Sequence, residues 1–439
     1  MTTPEPLRPW EKVFLGVFAA VLVVFGVITE IRSANLSRRM GDLGVFLRAG
    51  WAVRMGGDDL YHVTCNNGWH YNYPPMYAIL MAPFADPPAG GQPVTAVPYA
   101  WSVAFFYVFG VFCLFWAVHC LATALDPETA PWSRRWWVSR ILPILPVTVA
   151  LGTSLGKGQV NTLILVALCG WLAETIRGRG LHAGLYLSFA IAVKIVPAFL
   201  VLLPLYRRDI RCLAGIALGL FLALVAIPVA VFGPSKAYAH GRQFVGYVLA
   251  PGLSVGKDSS RAHELTGVNG TDSQTFTALL HNNLYPDPNQ RPSQADAPVR
   301  MAHWILAALT TGVTLLTFRH RDSDANEVLF GGTLTLLMIL ISPVSHLHYF
   351  AFLVPLFAGL FFLHRGEEPY PSVRILVPVF LCGIIILCAS LPPLKFLCDK
   401  GLAVIGALLL WVLALTYSRM GNLSKKTIET NPMQASQTA

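Results

Sequence analysis

Residues 181–206 read LHAGLYLSFAIAVKIVPAFLVLLPLY, and Arg207, Arg208 and Arg211 follow directly. The run is apolar and long enough to cross a bilayer core of about 30 Å once. A single crossing, however, puts those arginines on the opposite face from Arg177 and Arg179. It also inverts every later loop, against the rule that short cytoplasmic loops collect Lys and Arg. The run is interrupted at Lys194 and Pro197. Proline removes a helical hydrogen bond, and an ammonium in mid-run is expensive in lipid. The stretch therefore reads as a re-entrant pair of half-helices that enters and leaves on the cytoplasmic face. Such a break is tolerated only where protein or a wet cavity surrounds it.

The rest of the chain falls into place around that pair. Hydrophobic residues make up 54% of the 439 and charged residues 13%, where a soluble domain carries about 25% charged residues; mean hydropathy is +0.55. A soluble enzyme, a disordered chain and a coiled coil are excluded, leaving an all-α polytopic membrane protein. Apolar runs near 12–31, 95–125, 138–155, 159–175, 211–232, 301–318, 328–343, 346–364, 373–391 and 400–418 predict about ten full spans. No small-residue cleavage site follows the first, so it reads as a retained span rather than a signal peptide. The net charge of +9 is spread over short clusters between apolar runs. That is a loop pattern, not a nucleic-acid surface, and no nucleic-acid partner is expected. The eight cysteines include no CxxC pair and mostly lie in apolar runs, as at Cys113, Cys169, Cys382 and Cys388. They imply neither a disulfide framework nor a zinc site, although Cys65 and Cys398 fall in outer loops where a bridge is open to them.

The expected organisation is one transmembrane domain over 1–419 with both termini cytoplasmic. Two large outer loops, 32–94 and 233–300, face the other side, and a polar tail, 420–439, is expected to be disordered. No internal repeat of the kind found in many transporters is visible. The first outer loop carries Arg32, Arg38, Arg39, Arg48 and Arg54. Positive charge on the outer face needs a reason, and an anionic ligand supplies one.

Candidate chemistry concentrates in the outer segments. In GDLGVFLRAGWAVRMGGDDLYH, residues 41–62, Val45, Phe46, Ala49, Ala52 and Val53 recur at helical spacing, which predicts an interfacial amphipathic helix. Asp42 at its start reads either as an N-cap or as a carboxylate held at the boundary where a lipid-borne substrate presents its head group. Arg48 either snorkels or contacts a lipid phosphate. Gly56 to Tyr61 reads as a turn, with Asp58 and Asp59 solvated there. Tyr71 and Tyr73 precede Pro74 and Pro75, which force an extended approach and then open a second interfacial helix over Met76–Phe84; an aromatic belt accounts for the tyrosines. Lys157, between Gly156 and Gly158, can approach a phosphate, while the spacing is wrong for a nucleotide loop. Gln159 and Asn161 open an apolar helix and must face the bundle interior to be satisfied. His346 and His348, in SPVSHLHY (342–349), can donate to a phosphate or shuttle a proton. No further ligands accompany them, so no metal is expected. The second outer loop carries Lys257, Asp258, Arg261, His263, Glu264, Asn269, Asp272, Gln274 and Asn282, polar enough to build an acceptor pocket but with no recognisable motif.

GDLGVFLRAGWAV (41–53), GGDDLY (56–61), YNYPP (71–75), GQVN (158–161), AVKIVP (192–197) with RRDIR (207–211), and SPVSHLHY occur in that order over about residues 10–365. The ordered set resembles glycosyltransferase family 87, bacterial GT-C enzymes that include polyprenyl-phosphate-dependent mannosyl- and arabinofuranosyltransferases. The resemblance implies a GT-C fold with interfacial helices over a cavity, in a bacterial inner membrane with the active site on the periplasmic side. It implies a polyprenyl-phosphate sugar as donor substrate, no separate cofactor, and transfer with inversion to a glycolipid or cell-envelope polysaccharide. Asp42 matches the family's catalytic base, with Asp58 or Asp59 a substitute for it and Asp59 also a substrate contact. Lys194 matches the family's Lys before a Pro, and His346, His348 and Tyr349 its late His/Tyr motif. An attacking hydroxyl needs one base, and inversion by single displacement needs no second carboxylate. The departing lipid phosphate needs positive charge or hydrogen-bond donors. Lys157, His346, His348, Arg48 and Arg261 are the candidates for that, with Tyr73, Gln159, Asn161, Lys194 and Tyr349 for the sugar. A transporter or flippase is the competing class, disfavoured because the long spans hold almost no Asp or Glu away from their ends; a non-catalytic envelope scaffold is the third.

Overall fold

A computed structural model describes residues 5–36, 40–58, 60–94, 97–253, 260–268, 273–363, 370–389 and 391–430. Among them there is no β-strand, only two isolated bridges, Thr64 with His70 and Ser273 with His346. Among the described residues, seven helical segments are long and apolar enough to cross a membrane: Pro9–Leu36, Tyr99–Leu125, Arg134–Lys157, Ile210–Phe232, Ala297–Thr317, Asp324–Ile341 and Leu402–Met420. The other three expected spans are shorter, at Asn161–Ile176, Leu347–Leu363 and Val373–Cys388. Two of these have a reason to be short. Nearly every residue of Asn161–Ile176 and of Val354–Leu363 is buried, so these helices pack inside the bundle and have no lipid thickness to match.

The stretch 181–206 forms a re-entrant pair. Gly180–Val193 runs parallel to Ile210–Phe221: Gly180 abuts Asp209 and Arg211, Gly184 abuts Cys212 and Gly215, and Gly219 abuts Ser188. Two consecutive parallel helices require the chain between them to return, and Val196–Arg207 makes that return. Glycine allows the approach, because a Cβ at Gly184 or Gly215 would overlap the facing backbone. Lys194 ends the first half-helix in extended conformation, φ −150°, ψ 121°, and Pro197 sits in the first turn of the returning 3₁₀ segment, where a missing N–H costs little.

The bundle has two chemically distinct ends. At one, the buried Arg134 bonds Glu11 at 2.7 Å, Tyr370 donates to the same carboxylate, and Glu174 holds Arg177 and Arg179 at 2.9 and 2.8 Å. Arg207 grips Glu327 at 2.7 Å, at the foot of the returning arm. Both ends of the described chain lie here. The opposite end carries the two large loops. There Gly41–Arg54 is enclosed rather than laid on a surface: Leu43, Phe46, Leu47 and Ala49 are all fully buried. Apolar residues lie on both its faces, and Gly50 lets it press against the backbone of Met81. The turn after it carries two left-handed glycines, Gly56 (φ +97°) and Gly57 (φ +88°). The last helix, Leu402–Thr430, runs ten residues past Met420 into the stretch expected to be disordered; Leu423, Lys425, Lys426 and Glu429 are good helix formers, and no proline intervenes before Pro432. All eight cysteines are free, Cys65 and Cys398 included.

The return path gives a direct test. Single cysteines at Gly178 and Arg211, on a background lacking the native thiols, should label from the same side of a sealed vesicle with a membrane-impermeant maleimide. Labelling from opposite sides would mean a single crossing.

Candidate active site

The site is built at the loop end, where the start of Gly41–Arg54 docks on the turn 156–158. Met40 occupies the N-cap position without a side-chain cap, and its N–H donates to Tyr99 Oη at 2.7 Å. Gly41 lies against Lys157, and Gly158 (φ +65°) packs on Met40 and Leu43. Asp42 is therefore the second helical residue and not the cap, which removes one of its two readings. It is half-exposed. Among the described residues its carboxylate forms no hydrogen bond or ion pair, and its charge acts on Lys194, Tyr73 and Tyr349.

The re-entrant pair delivers Lys194 to the same place. Its first arm, Gly180–Val193, packs beside Asn161–Ile176 in the opposite sense, so its tip reaches the level of Asn161. The ammonium is buried. It stands 3.8 Å from the ring centre of Tyr349 and 5.7 Å from that of Tyr73, with Asn161 Oδ1 at 3.5 Å. Desolvating an ammonium is costly, and aromatic faces and an amide oxygen offset part of that cost. Asn161 is 0% exposed, and its amide is used at both ends. Its Nδ2 donates to Ser154 Oγ at 3.1 Å and to the His348 carbonyl at 3.3 Å; Ser154 Oγ donates to that carbonyl too, at 3.2 Å. Asn161 is thus a strut between hairpin tip and histidine turn. Tyr349 stacks edge-on against His348 at 4.8 Å, and His346 and His348 lie 5.5 Å apart.

Tyr73 belongs to this cluster rather than to an aromatic belt. Its ring meets Phe46 at 5.1 Å. Burial first, then the charges of Tyr349 and Asp42, push its phenol well above the ordinary value, so it stays protonated and able to donate. Lys157 is exposed on the rim, and its charge acts on His348. Among the described residues, the buried Gln159 Oε1 has no partner.

Two expected phosphate ligands are committed elsewhere. Arg48 is buried, bonding the Asp86 carboxylate at 3.2 Å, the Asp86 carbonyl and Asn66. Arg261 is buried beneath Tyr247 and donates to the carbonyls of Tyr61 and Tyr71 and to Asn72 Oδ1. It fastens the second outer loop to the first. Glu264 reinforces that joint through His70 Nδ1 and Asn72 Nδ2, both at 2.6 Å. Asp58 is exposed and bonded by Lys236. Asp59 lies outside the described residues, as do Lys257, Asp258, Asn269 and Asp272. Sequence reasoning missed Ser154 and Tyr99, which sit in apolar runs with no signal marking them. Among the described residues no three His, Cys, Asp or Glu side chains group as a metal set. A cavity of about 330 Å³ lined by Trp171, Arg207, Asp209, Arg321 and Glu327 lies at the opposite end of the bundle, away from Asp42.

The fold and site define an all-α membrane protein with a carboxylate, a buried lysine and a histidine turn gathered at one end. Residues 71–343 match the family described as Glycosyltransferase family 87, and the chain belongs to that family. It is 25% identical over 316 residues to a polyprenol-phosphate-mannose-dependent alpha-(1-2)-phosphatidylinositol mannoside mannosyltransferase of Mycolicibacterium smegmatis, over 67% of this chain and 62% of that protein. The protein of the same description from Mycobacterium tuberculosis is 25% identical over 309 residues, over 68% of this chain and 64% of its own length. The match thus spans somewhat less than two thirds of these relatives.

The two arginine assignments are separable from catalysis. Arg261→Ala should lower the thermal unfolding midpoint in detergent, since it unties two loops and leaves buried carbonyls unmet. Asp42→Asn, whose carboxylate bonds nothing among the described residues, should leave the midpoint within about 2 °C, because a substitution that breaks no contact is usually within about 0.5 kcal/mol.

Proposed function

We propose that the chain transfers a sugar, mannose first among candidates and arabinofuranose second, from a polyprenyl-phosphate donor to a hydroxyl of a glycolipid or envelope polysaccharide. The observation that carries this reading is Asp42: a carboxylate free of capping and, among the described residues, of ion pairs, whose charge acts on the buried Lys194. The mycobacterial relatives, named for a polyprenol-phosphate-mannose donor and a phosphatidylinositol mannoside acceptor, support the donor and acceptor classes. The arginines at the far end support cytoplasmic termini and an active site on the outer face of a bacterial inner membrane.

The reaction is a single displacement. The acceptor oxygen attacks the anomeric carbon from the face opposite the phosphate, and its proton passes to the Asp42 carboxylate. The bond between the anomeric carbon and the phosphate oxygen breaks, the configuration inverts, and polyprenyl phosphate leaves. Negative charge developing on that phosphate meets Lys194, with Lys157 and the His346–His348 turn beside it. Tyr73, Tyr349 and Gln159 line the sugar, while Asn161, whose amide is used at both ends, holds Lys194 and the histidine turn in place. Cationic and neutral donors from the chain itself stabilise the leaving group, so the scheme uses no metal.

A transfer assay in nanodiscs with radiolabelled polyprenyl-phosphate mannose and polyprenyl-phosphate arabinofuranose, a lipid-extract acceptor pool and EDTA tests this. Asp42→Asn should reduce kcat by about 10²–10⁴-fold, and Lys194→Met by about 10²–10³-fold. Wild-type rates in the folded Asp42→Asn protein would remove the base. Transfer abolished by EDTA and restored by a divalent cation would remove the metal-free scheme.

A further inference from the structure

The second outer loop meets the histidine turn through a short antiparallel contact. Ser273 bridges His346, and the Gln274 N–H donates to the Ser345 carbonyl at 2.6 Å. Around this contact, among the described residues, lie buried side-chain atoms with no hydrogen-bond partner: Ser273 Oγ, Gln274 Oε1, His281 Nδ1, Asn282 Oδ1, Ser345 Oγ and His348 Nε2. Each of these residues is at most 3% exposed. Buried polar groups are satisfied more than nine times in ten. Six unmet atoms on two touching segments therefore point to a partner that arrives with a ligand.

The bonds already made define that partner. Gln274 Nε2 donates to the Cys398 carbonyl at 2.8 Å, and Asn282 Nδ2 is turned toward the Asp399 carboxylate at 3.5 Å. His281 Nε2 meets the Pro292 carbonyl at 2.9 Å. These contacts orient both amides and the ring, so the unmet Gln274 Oε1, Asn282 Oδ1 and His281 Nδ1 are acceptors. Acceptors require donors. An ionised phosphate has none to give. The carboxylate these side chains reach, Asp399, is held on both oxygens by Arg291 at 2.8 and 2.9 Å, which leaves it no oxygen for a cation. A hydroxyl both donates and accepts, and a sugar carries several at fixed spacing.

We propose that Ser273, Gln274, Asn282 and Ser345 form a neutral saccharide subsite beside the Asp42 centre, holding the sugar head of the acceptor. This rests on the glycosyl-transfer reading above. The charged groups then serve the lipid phosphate, and this uncharged set serves the incoming sugar.

The test uses the full chain in nanodiscs with mannobiose as probe, read by saturation-transfer NMR and by thermal unfolding. Ser345→Ala removes only an unpartnered hydroxyl and should fold as wild type does. It should weaken mannobiose binding about fivefold, and Gln274→Met and Asn282→Leu by about tenfold or more, consistent with loss of one buried hydrogen bond each. In the transfer assay, acceptor KM should rise in the three pocket variants while donor KM stays the same. Absence of mannobiose binding, equal binding in wild type and Ser345→Ala, or binding of inorganic phosphate or Ca²⁺ that depends on these residues would overturn the proposal. Mannobiose binding that depends on Ser345 and Asn282 without transfer from any donor would keep the subsite and remove the transfer reading. Transfer with an unchanged acceptor KM in the variants would do the reverse.

Discussion

An ammonium out of reach of water is the constraint around which this end of the molecule is arranged. Lys194 sits at the tip of a broken helix pair, between the face of Tyr349 at 3.8 Å and the amide of Asn161 at 3.5 Å. A buried charge is tolerable only with partners on several sides, and those partners have to be held in turn. Asn161 is held by Ser154 and by the His348 carbonyl. The His348 carbonyl belongs to the turn that pairs with Gln274. The hairpin that carries Lys194 in must also come out, so Gly184 and Gly215 exist to let parallel helices touch.

The ion pairs divide the molecule by task. At the end with both described termini, Glu11, Glu174 and Glu327 are each matched to arginine, and charge there is spent on architecture. At the loop end, Arg48 pairs with Asp86 and Arg261 is held by two carbonyls and Asn72, while among the described residues Asp42 has no ion pair. The proposed chemistry depends on that difference. A carboxylate that capped its own helix or was bonded by an arginine would have its oxygens occupied, and an attacking hydroxyl could not reach them.

Much of this was legible in the sequence. The re-entrant pair follows from Arg177, Arg179, Arg207 and Arg211 needing one face, and Pro197 marks the break. Asp42, Tyr73, Asn161, Lys194 and Tyr349 were all named, and they converge. A linear map does not show depth: Lys194 belongs to a hairpin whose two ends lie with Arg177 and Arg211, and its tip nonetheless reaches Asn161. Its 14-residue arm rises about 21 Å, enough to carry it to the level of Asn161. Arg48 and Arg261 were misread for another reason. Their partners lie 38 and about 190 residues away, and no local pattern announces such a contact. The stripe of Val45, Phe46, Ala49, Ala52 and Val53 predicts one wet face for the helix from Gly41, but Leu43 and Leu47 make the other face apolar and it is buried too. The unmet acceptors of the second outer loop have no sequence signature, since being unpartnered is a property of the folded surroundings alone.

The central claim is that the donor phosphate is received at the loop end by Lys194, beside Asp42. Cryo-electron microscopy of the chain in nanodiscs with a polyprenyl phosphate tests it most directly. The account predicts phosphate density at charge-assisted hydrogen-bond distance, about 2.7–2.9 Å, from Lys194 Nζ, with Asp42 across the space left for the sugar. Phosphate seated instead among Arg207 and Arg321 in the cavity at the opposite end would contradict it.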